Sequence, residues 1–310
     1  MNNKVVVILG ATSTGKSSLG IELANILDGE IISGDSVLVY KGLDIGSAKP
    51  THSDLEKTKH HMIDILEPED SFDVTYGKQL IEDNIKIILS RGKVPIIVGG
   101  TGLYIKAFLE NYSFVPVSED AKLRKELEMF AVEHGKFALH QRLQTLDANA
   151  ASTLHPNDSF RVIRAIEIAL NGCKKEQALA YNGVRKDFNI IVYGLSMARD
   201  LLYNRINSRV DNMLENGLEN EVRNLLNKGV PSNAQSLRSI GYKQMVEFIE
   251  GRMDKETCIN KIKQATRNFA KRQVTFFKAM PYIKWLEIDN NSCLHKIALE
   301  LAREVQKYED

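Results

Sequence analysis

The sequence predicts an α/β fold: a parallel sheet covered by helices on both faces, interrupted by an all-helical insertion. Three observations predict it. Short β-branched runs alternate with stretches of helical spacing from Lys4 to Gly102, a glycine-rich turn joins the first run to the first helix, and strand character lapses after Asn111 until Asn189. The chain has 310 residues, 43% of them apolar, with 41 Lys and Arg against 40 Asp and Glu. That length suggests roughly two units, each able to bury a core. The composition excludes disordered, collagen-like and mucin-like chains.

Lys4 to Leu9 reads as a fully buried strand, short, β-branched and ended by Gly10. Ser17 to Leu27 shows helical spacing, with Leu19, Leu23, Ile26 and Leu27 on one side and Gly29 as the stop. Glu30 to Ser33 and His61 to Ile65 are further strands, and Tyr76 to Ser90 is a crossover helix leading to the strand Val94 to Val98. From Ser118 to Asn182 the periodicity is helical, with breaks near Gly135, His155-Pro156 and Gly172 and no strand. Strands return at Asn189 to Ser196 and, more weakly, at Ile283 to Ile288. The expected organisation is a core begun by residues 1–112, a helical insertion over 113–187, and a core completed by 188–310 with basic helices.

Met1 to Lys4 leads at once into a strand and shows no leader pattern, and no apolar run approaches the ~20 residues of a membrane span. A cytoplasmic protein without a membrane anchor is expected. Cys173, Cys258 and Cys293 are odd in number and widely spaced, which argues for reduced thiols over disulfides or a zinc cluster. The near-zero net charge hides a local asymmetry. Every charged residue from Lys261 to Lys278 is basic, namely Lys261, Lys263, Arg267, Lys271, Arg272 and Lys278, which suits a nucleic-acid surface.

Gly10-Ala11-Thr12-Ser13-Thr14-Gly15-Lys16-Ser17 fits the phosphate-loop pattern G-x-x-x-x-G-K-[ST] between a strand and a helix, the context the motif requires. Its glycines let backbone N–H groups wrap a phosphate at the positive end of a helix, Lys16 adds a point charge, and Ser17 offers a hydroxyl to Mg²⁺. Such loops serve nucleotide- and ATP-binding proteins, yet the loop specifies only a di- or triphosphate. Asp35 follows the second strand at the sheet edge where α/β ligands bind, the best-placed carboxylate near the loop, and position alone leaves open a functional role or that of a turn-forming or helix-capping aspartate. Gly99-Gly100-Thr101-Gly102 brings backbone and a hydroxyl to the same edge. No apolar run ending in aspartate gives a good second nucleotide-hydrolysis motif; Ile63-Asp64 comes nearest. Arg161 with Arg164, and Arg205 with Arg209, each share a helix face. His60-His61 lacks a third ligand for a metal. Phe276 and Phe277 could stack on bases, although packing of at least one ring in the core is expected.

Ordered blocks now carry a resemblance to the tRNA dimethylallyltransferase (tRNA isopentenyltransferase) family. They are Gly10 to Ser17; Asp35-Ser36-Val37-Leu38-Val39-Tyr40 with Asp44-Ile45-Gly46-Ser47-Ala48-Lys49-Pro50; His60 to Asp64; Gly99 to Tyr104; and His155-Pro156-Asn157-Asp158 with Arg161 to Glu167. Arg205 to Val210, Ile240-Gly241-Tyr242-Lys243 and Thr266 to Gln273 complete them, so the resemblance runs from the loop to about Lys278. It departs at Ala11, where proline is frequent, at Leu38 for Gln, Ser47 for Thr and Phe276 for Trp, and it lacks the zinc-finger extension of some eukaryotic members.

The resemblance implies a P-loop NTPase-like sheet and a monomeric, Mg²⁺-dependent enzyme. Such an enzyme moves a dimethylallyl group from dimethylallyl diphosphate to N6 of the adenine 3′ to the anticodon. Asp35 would be the base, Thr101 would hold the adenine edge, and Lys16, Ser17 through Mg²⁺ and Arg209 would meet the leaving diphosphate. The anticodon stem-loop would contact Asp35, Ser36, Val37, Leu38, Thr101, Arg124, Ser159, Phe160, Arg161, Val162, Ile163, Arg164, Lys271 and Arg272. A small-molecule P-loop kinase, a non-catalytic RNA-binding protein and prenyl transfer to free AMP or ATP are the competing readings.

Overall fold

Val5 to Leu9 contain no polar side chain, and β1 (Lys4–Gly10) is buried along its whole length, as a strand covered on both faces must be. The computed structural model describes residues 3–114, 120–173, 179–180 and 183–307. Beside β1 lie β4 (Val94–Gly99) and β7 (Asn189–Ser196), with β2 (Gly29–Ser33) and β3 (His60–His61) beyond β4 and β8 (Lys284–Glu287) beyond β7. All the pairings within this six-stranded sheet are parallel, as the alternation of strand and helix predicts. The carboxyl ends of β1, β2 and β4 therefore fall along one edge.

Two helices lock the central strands. The leucines of α1 (Lys16–Leu27) meet Val6, Ile8 and Ile96 on one side and Ala298, Leu301 and Ala302 of the last helix, Leu294–Lys307, on the other. Lys4 is buried and donates from Nζ to the Val305 carbonyl at 2.9 Å, closing that helix's carboxyl end.

The third strand is shorter than expected. His60 and His61 pair with Ile31 and Ile32, but Met62 and Asp64 take left-handed backbone angles (φ 63° and 53°), so the chain turns before Ile65. The late strand is Lys284–Glu287, within the expected span. The crossover helix is Val74–Ser90, started two residues early by Asp73, whose side chain accepts the Tyr76 N–H at 2.8 Å.

Contacts divide the chain into one unit of 1–108 with 186–310 and a second of Leu109–Arg185. In the second, the helix Ala121–Leu146 is broken at Gly135 (φ 87°), and Ala148–Thr153 and Ser159–Leu170 follow. Leu127, Leu139, Leu143, Val162 and Ile166 form its core, each fully buried. The expectation of no strand here is corrected: β5 (Ser113–Phe114) pairs antiparallel with β6 (Leu179–Ala180). Two-residue strands carry too little alternation to be read from sequence. Residues 115–119, 174–178 and 181–182 of the expected helical stretch lie outside the described residues. Among the described residues no helix is long and apolar enough to cross a membrane.

Candidate functional site

The phosphate loop leaves β1 through Gly10, where a side chain would come within 2.7 Å of the Leu195 carbonyl. It enters α1 through Gly15, held at φ 95°. Within it the Ala11 carbonyl accepts from Lys16 Nζ at 2.6 Å and from Thr14 Oγ1 at 2.8 Å. Ser13 is left-handed (φ 66°), and its buried hydroxyl finds no partner among the described residues. Ser17, the second residue of the helix, is exposed. Burial lowers the Lys16 pKa to about 7, the positive charge of Arg209 adds to the effect, and the Asp35 carboxylate opposes it. Arg209 is likewise held below its ordinary value by burial, again opposed by Asp35. Two cations and one carboxylate thus share a single electrostatic neighbourhood.

Asp35 sits just past β2. Its Oδ1 accepts the Val37 N–H at 2.8 Å, the turn-forming role, while no described hydrogen bond engages Oδ2. One oxygen shapes the turn, and the other has no described hydrogen-bond partner. Thr101 fastens the same turn: its N–H donates to the Gly34 carbonyl at 3.3 Å, and its Oγ1 accepts the Ser36 N–H at 3.0 Å. The approach is close enough that a side chain on Gly99 would lie 2.4 Å from the Gly34 carbonyl oxygen.

Around these groups lies a cavity of about 360 Å³. Thr12, Asp35, Ser36, Thr101, Arg209 and Arg272 are among its polar lining, and Val37, Val210, Met213, Ile240, Ile262 and Phe269 form its apolar part. A charged half beside an aliphatic half suits a ligand with a phosphate head and a hydrocarbon tail. Another depression, of about 450 Å³, is lined by Asn3, Lys86, Leu89 and Val94. It lies at the amino ends of β1 and β4, opposite the edge where parallel sheets bind ligands.

Arg205 and Arg209 part company. Arg209 lines the cavity and donates from Nη2 to the Ser47 carbonyl at 3.2 Å, whereas Arg205 donates to Asn290 Oδ1 at 3.2 Å on the surface. The site also holds Gln273, which lies outside the set of site residues the sequence predicts. Buried at 6% exposure, it accepts the Thr12 N–H at 2.9 Å and donates to the Gly100 carbonyl at 2.8 Å, joining the phosphate loop to the Gly99–Gly102 turn. No local spacing signals that role, because its partners lie 261 and 173 residues away.

The basic stretch divides. Lys263 pairs with Asp211 at 2.6 Å and Arg267 donates to Asn207 at 2.7 Å, which leaves Lys261, Lys271, Arg272 and Lys278 exposed, Lys271 and Arg272 beside Thr275 and Phe276 in a shallow depression. Phe277 is fully buried, as expected of one of the two rings. His61 meets Glu30 at 2.6 Å and His60 meets the Thr58 carbonyl at 2.7 Å, so both histidines serve the fold. Asp64 accepts from Lys49, which also ties Asp44, so it braces a loop and is no nucleotide-hydrolysis aspartate.

In the helical unit, Phe160 and the Arg161 side chain are both 72% exposed, beside Ser159 at the start of their helix. The side chains of Val162 and Ile163, which follow in the same helix, are buried in the unit's core. Arg124 grips the fully buried Glu167 with two donors at 2.7 and 2.8 Å, and Arg164 adds a third at 3.1 Å. Both arginines thus brace the helix that carries Glu167.

The IPP transferase family model matches residues 38–280. The tRNA dimethylallyltransferase of Pelotomaculum thermopropionicum is 45% identical over 300 residues, 96% of this chain and 95% of its own length. That of Bacillus subtilis is 42% identical over 292 residues, 93% of each. Among solved structures, the full-length tRNA isopentenylpyrophosphate transferase of Bacillus halodurans superposes with a TM-score of 0.73 at 38% identity, covering 99% of this chain and 98% of its own. A eukaryotic dimethylallyltransferase acting on tRNA gives 0.80 at 28% identity, covering 99% and 79%.

Proposed function

The chain belongs to the IPP transferase family of tRNA dimethylallyltransferases, and from that premise we propose its reaction: transfer of a dimethylallyl group from dimethylallyl diphosphate to N6 of an adenine beside a tRNA anticodon. The observation that carries the reading is the single cavity shared by the phosphate loop, Arg209, Asp35 and an aliphatic wall. Soluble, monomeric action in the cytoplasm belongs to the same proposal.

The bond broken joins carbon to oxygen, so no phosphorus is attacked and no water need be positioned. Backbone N–H groups of Gly10 to Ser17, with Lys16 and Arg209, meet the charge that grows on the departing diphosphate. The adenine amino group is a weak nucleophile because its lone pair is conjugated with the ring. As its nitrogen bonds to the allylic carbon, Asp35 takes the proton it must lose. The exposed Ser17 hydroxyl at the start of the helix, where the oxygens of a bound diphosphate would lie, fits Mg²⁺, which keeps few protein ligands. Ser17 would hold the ion, and its chemistry there is neutralisation of diphosphate charge. The adenine must leave the anticodon-loop stack, at a cost of a few kcal/mol. Phe160, Arg161, Lys271 and Arg272 are the exposed groups suited to contact the RNA.

Incubation with labelled dimethylallyl diphosphate, Mg²⁺ and either bulk tRNA or free AMP tests the reading. Label in tRNA alone is expected. Label in AMP alone would make the acceptor a free nucleotide, and phosphate transfer from ATP without prenyl transfer would make the protein a kinase.

Lys16→Ala is expected to weaken dimethylallyl diphosphate binding and turnover together, since Lys16 meets charge in both ground and transition states. Unchanged affinity in a direct titration would remove Lys16 from the site. The pH dependence has a definite sign. Only protonated Lys16 attracts the anion, and burial holds its pKa down to about 7. Affinity should therefore fall as pH rises from about 7, by up to about tenfold per unit. Calorimetric titrations at about pH 6.5 and about pH 8.5 that agree within error would contradict this.

Binding of tRNA should weaken steeply with salt, with a log-log slope of roughly −0.7 per phosphate contact for single strands. Arg161→Ala should reduce that slope by about one contact without altering the melting temperature. A salt-independent affinity would count against RNA as the substrate.

A further inference from the structure

Three successive backbone N–H groups converge on one carboxylate beside the cavity. Glu221, in the helix Leu218–Asn227, accepts through Oε2 from Asp44 N at 2.9 Å and Ile45 N at 2.7 Å. Through Oε1 it accepts from Gly46 N at 3.1 Å and the Tyr242 hydroxyl at 2.6 Å. Two oxygens taking four donors leave a carboxylate with its acceptor capacity filled. Tyr242 is fully buried, and burial together with the charge of Glu221 holds its hydroxyl protonated.

The loop so held is the one that reaches Arg209. Gly46 and Ser47 line the cavity, and the Ser47 carbonyl accepts Arg209 Nη2 at 3.2 Å. Gly46 is clamped, since a side chain there would lie 2.6 Å from the Tyr242 ring and 2.8 Å from Leu218. Ala48, the next residue after Ser47, is left-handed at φ 51°, a conformation that a non-glycine residue keeps only under external restraint.

We infer that Glu221 is a positioning residue: through the Asp44–Ser47 backbone it fixes the carbonyl that orients the Arg209 guanidinium toward the diphosphate. The inference rests on the proposed diphosphate role of this cavity and names the group that sets its geometry. A carboxylate is required, because Gln in its place would turn an NH₂ toward at least one backbone N–H, donor against donor.

The test is a double-mutant cycle read by inorganic pyrophosphate binding, which needs no tRNA and no prenyl transfer. Glu221→Gln is expected to weaken pyrophosphate by about tenfold in the otherwise native chain and by less than about twofold when Arg209→Gln is already present. A purely structural role would produce the same loss in both backgrounds, and that result, or unchanged affinity in the native background, would overturn the inference. Should Glu221→Gln melt below the assay temperature, Tyr242→Phe carries the same cycle. It withdraws one of the four donors, and a loss of about threefold confined to the Arg209 background is expected. Equal or absent effects with that variant overturn the inference as well. If the native chain binds pyrophosphate but transfers no label to tRNA, the proposed reaction fails while the cycle still decides on Glu221.

Discussion

Asp35→Asn is expected to fold, to bind both substrates and to lose roughly two to four orders of magnitude in single-turnover transfer to tRNA, the usual worth of a positioned general base. The structure makes this substitution unusually clean. Asp35 Oδ1 accepts the Val37 N–H at 2.8 Å, and Asn keeps that acceptor in the same turn. What Asn cannot do is take a proton at the second oxygen. Melting temperature should therefore stay close to that of the native protein while the rate collapses. A folded Asp35→Asn protein that transfers at a near-native single-turnover rate would leave proton removal to water or to another group, and the mechanism proposed here would fall. The result also bears on Thr101. Its hydroxyl fastens Ser36 at 3.0 Å, so Thr101→Ala should disturb the Asp35 turn as well as any contact with the base.

These groups differ in how far the sequence reveals them. The phosphate loop is legible because its chemistry is local: eight consecutive residues, a strand before and a helix after. Asp35 is legible as a residue at the right edge of the sheet, but its two roles separate only when each oxygen is seen with its own partner. Arg205 and Arg209 share a helix face, so spacing alone gives them equal claims. Only the packing of Ser47 against one and Asn290 against the other chooses Arg209. Gln273 and Glu221 act across more than 170 residues of chain, and neither lies in a motif with a chemical meaning of its own. The same limit hides the burial of the Val162 and Ile163 side chains. They follow an exposed Phe160 and Arg161 in one helical turn, and the helical repeat carries them into the core of the unit.

The helix that presents Phe160 and Arg161 is held from behind by Glu167, and removing that carboxylate should be among the most damaging single changes in the helical unit. Glu167 is fully buried, with Arg124 Nε and Nη2 at 2.7 and 2.8 Å, Arg164 Nη1 at 3.1 Å and the Asp120 N–H at 3.3 Å. Glu167→Ala takes away the buried carboxylate that both guanidinium groups share, a change expected to cost about 3 kcal/mol, the low end for breaking a buried pair because both arginine side chains keep some contact with water. Replacing Arg124, Arg164 and Glu167 together by apolar residues of similar volume should restore much of that loss, because the pair's attraction largely offsets its own desolvation. The pH dependence follows in sign. Burial alone would raise the Glu167 pKa, but the hydrogen bonds from Arg124 and Arg164 win and hold it below the ordinary 4.5. Its contribution is thus present above that value and is lost as pH falls through the lower folded value. The same variants separate folding from recognition. If Arg164→Ala lowers the unit's stability in step with tRNA affinity, the arginine serves the fold that presents Arg161. If tRNA affinity falls while melting is unchanged, Arg164 reaches RNA directly and its bond to Glu167 is incidental.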